Sequence, residues 1–233
     1  MDGLLMKKLT SHALTVAAIA LATIGVRDVH SATLVVPPDP STMGAKALVS
    51  AACSKCHGVS GNGVSISPLF PVLAAQLPGY IEAELKLFRI RGRSDPRARA
   101  FMWGIARGLT DEQIKTVAQY FSSQPAVRGS PSSNPALADK GKVMYENGAP
   151  ERDIEACTVC HGHSGEGINT QPRLAGQHRD YVATEMFEYR SGLRENKVMQ
   201  HVTGKMTDDE IAAVVDYVST LSACWFRIAV PEL

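Results

Sequence analysis

Two short stretches of this 233-residue chain group residues able to do chemistry together: Cys53-Ser-Lys-Cys56-His57 and Cys157-Thr-Val-Cys160-His161. Thiols separated by two residues lie on one turn, where both can add to the vinyl groups of a single haem. The adjacent imidazole is then held beneath the iron as its proximal ligand. Other uses of such thiols fit less well. A zinc site drawn from both pairs wants them about 15–20 residues apart, and these lie roughly a hundred apart. A thioredoxin-type dithiol needs a βαβ setting, for which the chain shows no alternating β-branched runs. The fifth cysteine, Cys224, reads as a buried thiol at a helix end, with a dimer-forming or reactive thiol as the alternative.

A second axial ligand follows by elimination. The chain repeats one plan twice, and the first copy has no histidine besides His57, which leaves Met43 and Met102. Met43 precedes the attachment segment, whereas Met102 follows it at a distance and stands just before a capped helix. In the second copy Met199 competes with Met186, Met206, His178 and His201. Met186 and Met206 align with Leu85 and Leu109 and read as core, His201 reads as a surface residue, and Met199 is the repeat partner of Met102. His163 reads as solvated. A Met/His pair raises the iron's potential and leaves no open position, which favours one-electron transfer over substrate chemistry.

The elements that must position these ligands occur twice. At an offset of 104, Cys53, Cys56, His57, Gly58, Gly61 and Gly63 match Cys157, Cys160, His161, Gly162, Gly165 and Gly167. At 101, Pro71, Leu73, Ala74, Gln76, Tyr80, Glu84 and Arg89 match Pro172, Leu174, Ala175, Gln177, Tyr181, Glu185 and Arg190. At 97, Met102, Thr110, Asp111, Ile114 and Tyr120 match Met199, Thr207, Asp208, Ile211 and Tyr217. Order kept through three blocks marks a duplicated domain.

Each copy reads as helical. Thr110 with Gln113, and Thr207 with Glu210, form capping boxes. They open runs with helical spacing: Ile114, Val117, Ala118, Phe121 and Ile211, Val214, Val215, Val218. Residues 80–89 and 181–190 predict a second helix. Residues 45–52 and 138–146 predict one leading to each Cys pair. The fold class is therefore all-α, as two tandem domains of a few helices each around one covalently bound haem. The expected boundaries are 1–31 for a signal peptide, 32–124 and 136–233 for the domains, and 125–135 for a Pro- and Ser-rich linker.

Lys7 and Lys8 precede an apolar run from Ala13 to Val26, and small residues follow at Ser31 and Ala32. That order is an export signal, with an uncleaved anchor as the alternative, and it implies the periplasm. Net charge is +1, which argues against a general nucleic-acid binder. The halves differ: residues 32–131 carry 11 basic and 6 acidic side chains, and residues 132–233 carry 10 and 15. Arg89, Arg91, Arg93, Arg97, Arg99 and Arg107 supply most of the first excess. It reads either as a solvated surface or as a basic end that steers onto an acidic partner.

The assembled pattern resembles the dihaem cytochrome c4 family, built from two class I cytochrome c domains. The resembling elements are Cys-x-x-Cys-His-Gly-x-x-Gly-x-Gly, then Pro172-Arg-Leu-Ala-Gly-Gln177, Tyr181, Arg190, Gly192 and Arg194. Met199 and the Met206-Thr-Asp-Asp-Glu-Ile helix start complete them. The resemblance implies two haem c groups in a periplasmic electron carrier, soluble or loosely bound to the membrane, passing electrons between redox proteins towards a terminal oxidase. It also implies that the domains face each other about a pseudo-twofold axis, and that Pro71 and Pro172 orient His57 and His161. Ala75 stands where the family favours Gly. Two rival functions remain: the haem subunit of a dehydrogenase complex, such as a sulfide-oxidising flavocytochrome, and a dihaem peroxidase.

Overall fold

The computed structural model describes residues 43–63 and 67–222. The expected export segment and Cys224 lie outside the described residues. The first half runs α1 (Ala45–Ala52), α2 (Ser54–His57), α3 (Pro78–Arg89), a π-helical turn (Ala98–Met102), α4 (Trp103–Ala106) and α5 (Asp111–Ser122). The second runs α6 (Pro135–Asn147), a 3₁₀ turn (Pro150–Arg152), α7 (Thr158–His161), α8 (Arg179–Arg190), α9 (Lys197–Lys205) and α10 (Asp208–Thr220). Among the described residues there is no strand, only isolated bridges between Ala149 and Ile154 and between Ile168 and Gln171.

Both capping boxes form. Gln113 N donates to Thr110 Oγ1 at 3.2 Å and Thr110 N to Gln113 Oε1 at 2.8 Å. Glu210 and Thr207 repeat this at 3.2 and 2.8 Å. The caps satisfy backbone donors that the first helical turn leaves without partners. The apolar stripes then turn inward, and Ile114, Phe121, Ile211 and Val218 are fully buried. Each contributes about 1.5–3 kcal/mol by leaving water. Each half has its own core. The first gathers Leu48, Val49, Ile81 and Leu85 around α5, and the second gathers Tyr145, Ile154, Val182 and Met186 around α10.

Helices α3 and α8 each begin two residues before the predicted start, and α6 begins at Pro135. Pro at the first helical turn explains two of these starts, because its missing N–H would lack a partner there anyway. The segment joining the halves is held down: Ser130 N donates to Ser219 O at 2.9 Å, and Gly129 N to Ser222 Oγ at 3.1 Å.

The halves meet through matched residues. The Val72 peptide exchanges two hydrogen bonds with the Gln177 amide, at 2.7 and 3.1 Å. Arg173 makes the same exchange with Gln76, at 2.7 and 3.0 Å. Beside them lies a buried ionic ring. Arg93 pairs with Glu84 at 2.7 Å and Glu185 at 3.2 Å, while Arg194 pairs with Glu84 at 3.0 Å and with Glu185. Each carboxylate thus bridges its own half to the other.

Candidate haem sites

Short helices α2 and α7 place each Cys pair on one turn, with Cys56 N on Cys53 O and Cys160 N on Cys157 O, both at 3.3 Å. All four cysteines are half-buried and none is in a disulfide. Burial, and to a smaller degree the neighbouring Cys56, pushes the Cys53 thiol up to about 11. Cys157 is likewise pushed up to about 11, chiefly by burial. Addition across a vinyl group conserves the thiol's hydrogen and fits these half-apolar settings.

His57 and His161 are buried, and each ring is fixed by a carbonyl. His57 Nδ1 donates to Pro71 O at 3.0 Å, and His161 Nδ1 to Pro172 O at 2.9 Å. A carbonyl can only accept, so Nδ1 carries the proton and Nε2 presents its lone pair. Burial lowers both imidazole pKa values, outweighing the carbonyl's opposite pull, and keeps the rings neutral. A neutral, oriented imidazole beside two thiols is the donor set that a covalent haem requires. Both sites fit the group.

The orienting peptides reach further. The Pro71–Val72 peptide accepts from His57 on its oxygen and donates to Gln177 through its nitrogen. The Pro172–Arg173 peptide does the same between His161 and Gln76. Each of these buried histidines is therefore joined through one peptide group to a side chain of the opposite half. Gln76 and Gln177 stand out in the sequence as repeat partners, and Gln177 also as the end of the Pro172-to-Gln177 element. Nothing local marks their amides as crossing the interface.

The methionines sit on corresponding helices that the periodicity did not reveal. Asp95 Oδ1 caps Ala98 N at 3.0 Å, and Asn196 Oδ1 caps Met199 N at 3.0 Å. The first half has four more residues between cap and methionine, and the π-helical turn takes them up as about one added turn. Met102 packs on the first core together with Cys53 and Leu73. Phe101 meets Phe70 at 5.9 Å, and Phe70 meets His57 at 6.2 Å, linking the Met102 segment to His57. Met199 is half-buried on α9, whose Val202 packs against the second core, as Cys157 does.

The competing residues have other surroundings. Met186 and Met206 are buried in the second core and Met43 packs on the first. His201 is exposed and bonds Asp153 O at 3.1 Å, and His163 is exposed. His178 lies against Gly63 of the first half, where an added Cβ would come within 2.3 Å of its Nε2.

The arginine-rich stretch divides. Arg89 pairs with Asp111 at 2.6 Å, Arg93 with Asp95 at 2.7 Å as well as the ring, and Arg97 with Glu188 at 2.9 Å. These three serve the fold rather than a free basic face. Arg91, Arg99 and Arg107 are exposed and make no ion pair among the described residues. Arg91 and Arg107 stack over Trp103, next to Met102, at 3.7 and 5.0 Å from its ring centre.

Comparison with known proteins agrees with this geometry. The cytochrome c family model matches twice, over residues 42–125 and 138–222. A protein named cytochrome c4 from Thiocapsa roseopersicina is 37% identical over 201 residues, covering 84% of this chain and 99% of that one. The solved structure of Acidithiobacillus ferrooxidans cytochrome c4 has a TM-score of 0.68 at 34% identity, covering 72% of this chain and 98% of that one. A thiosulfate dehydrogenase electron acceptor from Stutzerimonas stutzeri is 35% identical over 171 residues, covering 71% of this chain and 77% of that one.

Proposed function

The chain belongs to the cytochrome c4 family of dihaem electron carriers, and from that premise we propose which residues hold its irons and where its electrons go. It carries two haem c groups, attached at Cys53 and Cys56 and at Cys157 and Cys160. His57 and Met102 would hold the first iron, and His161 and Met199 the second. The observation that carries the histidines is the pair of carbonyl bonds leaving each Nε2 free. Residues 32–124 and 136–233 are the two haem domains.

Haem supplies a site that holds or releases one electron. The protein's residues do the rest. His57 and His161 keep fixed tautomers, Met102 and Met199 would shield the irons from other ligands, and buried cores exclude water. Gln76 and Gln177 hold the two proximal segments in one register, so that an electron passes between halves of fixed geometry.

The carrier works in the periplasm, delivering single electrons towards a terminal oxidase. Its exposed Arg91, Arg99 and Arg107 steer an acidic redox partner onto the Met102 side. Among the described residues no helix is long and apolar enough to cross a membrane. Stopped-flow oxidation of the reduced protein by oxidase-containing membranes tests this reading. Two electrons leaving each chain, at a rate that falls with added salt, are expected. No oxidation would move the carrier to the second reading, service to a dehydrogenase. The relative named as a thiosulfate dehydrogenase electron acceptor supports that alternative.

A further inference from the structure

The residue after each histidine-orienting proline differs between the halves: Val72 in the first, Arg173 in the second. Val72 is an ordinary buried aliphatic residue. Arg173 is only 2% exposed, and a guanidinium is rarely so enclosed without a carboxylate. Its Nε donates to Ala75 O at 3.1 Å and its Nη2 to Ala74 O at 2.7 Å, both in the first half. Its Nη1 is buried with no partner among the described residues. Among the described residues it makes no ion pair, and the ionic ring leaves it out: Glu84 and Glu185 are taken by Arg93 and Arg194.

Burial lowers the Arg173 pKa to about 10, which leaves it charged at neutral pH. The cation is thus permanent. It is attached to the peptide that holds His161, and its guanidinium rests three and four residues beyond Pro71, which holds His57. An oxidised iron site carries one more positive charge than a reduced one. A nearby cation in a poorly solvated setting therefore penalises the oxidised form.

We propose that Arg173 is a potential-setting residue shared by both haems, raising both reduction potentials through its buried charge. The inference rests on His57 and His161 as iron ligands. It assigns the effect to charge at a distance, not to contact with the iron.

Spectroelectrochemical titration of the two-haem protein tests it, with Arg173→Gln, Arg173→Lys and the exposed Lys140→Gln compared with the unaltered chain. In Arg173→Gln, both reduction equilibria are expected to shift at least tenfold towards the oxidised form. For a one-electron couple that is about 59 mV each. The shift persists in high salt, because a buried charge is weakly screened. Arg173→Lys keeps both equilibria within threefold of the unaltered chain, and Lys140→Gln moves neither by twofold. A change below twofold at either haem in Arg173→Gln overturns the shared role. An Arg173→Lys shift as large as that of Arg173→Gln would assign the effect to lost hydrogen bonds and also overturn it. If Arg173→Gln fails to take up two haems, Arg173→Met is titrated in its place under the same thresholds. A pyridine haemochrome count on every sample keeps this separate from the ligand assignments. Two haems with unmoved potentials defeat only the Arg173 proposal.

Discussion

The two halves use the same plan but bear its costs differently. At two matched positions the backbone turns through the left-handed region. The second half places Gly176 (φ 68°) and Gly192 (φ 75°) there, and the first places Ala75 (φ 54°) and Arg91 (φ 58°). A side chain in that region costs roughly 1–2 kcal/mol. The first half accepts the strain, and at Arg91 it gains a cation stacked on Trp103. At Gly176 the second half has no such freedom, because a Cβ would come within 2.3 Å of Val127 O in the connecting segment. Shared geometry thus persists where residues orient the histidines, and the halves diverge where the surface or the interface makes its own demands.

The largest expected effect comes from the ionic ring, where the pseudo-symmetry is imperfect. Glu185 is 8% exposed and serves Arg93, Arg194 and Arg97, whereas Glu84 is 16% exposed and serves only the first two. Glu185→Gln leaves buried guanidinium charge uncompensated and should lower unfolding free energy by about 3–5 kcal/mol. Glu84→Gln should cost less. Equal losses in denaturant titrations would contradict the asymmetry. Next comes Gly176→Ala, with a loss of about 2–3 kcal/mol from overpacking against backbone. The reciprocal change, Ala75→Gly, should gain a few tenths to about 1 kcal/mol as strain is relieved, offset by the freer unfolded chain. A destabilising Ala75→Gly would refute the strain argument.

Acid should separate the halves as well. Asp95 and Asn196 cap corresponding helices, and only Asp95 titrates. Burial alone would raise the Asp95 pKa, but the Arg93 hydrogen bond and charge and the Ala98 N–H together bring it below its usual 3.8. A depressed carboxyl contributes stability that is present above its unfolded value and lost as pH falls through its folded one. Between pH 5 and 3 the unaltered chain should therefore lose stability faster than Asp95→Asn. At pH 7 the variant should be the less stable of the two. Parallel pH profiles would remove Asp95 from the account.

Much of the local structure was legible because caps and apolar spacing act over a few residues. Helix α1 has the predicted bounds, both capping boxes form, and the eight predicted core positions of α5 and α10 are buried. The thiol and imidazole motifs were legible because their chemistry needs contiguous residues. What escaped was long-range. Helix α9 and the π-helical turn begin at caps without an apolar stripe to announce them. The amides of Gln76 and Gln177 and the ring of Arg93 and Arg194 find partners about a hundred residues away, which no local pattern encodes. For the same reason the sequence left the arginine-rich stretch as either a solvated surface or a steering basic end, and did not show that Arg89, Arg93 and Arg97 are drawn into ion pairs.

The central claim is that each half holds one iron closed on both sides, by histidine and by methionine. Its most direct test is a pyridine haemochrome count followed by carbon monoxide added to the native ferrous protein. The account predicts two haems per chain and a ferrous spectrum unchanged by the gas. A single haem, or a second one that binds carbon monoxide, would contradict it. A gas-binding haem would show that a methionine assignment, Met102 or Met199, is wrong and that one iron is open to substrate.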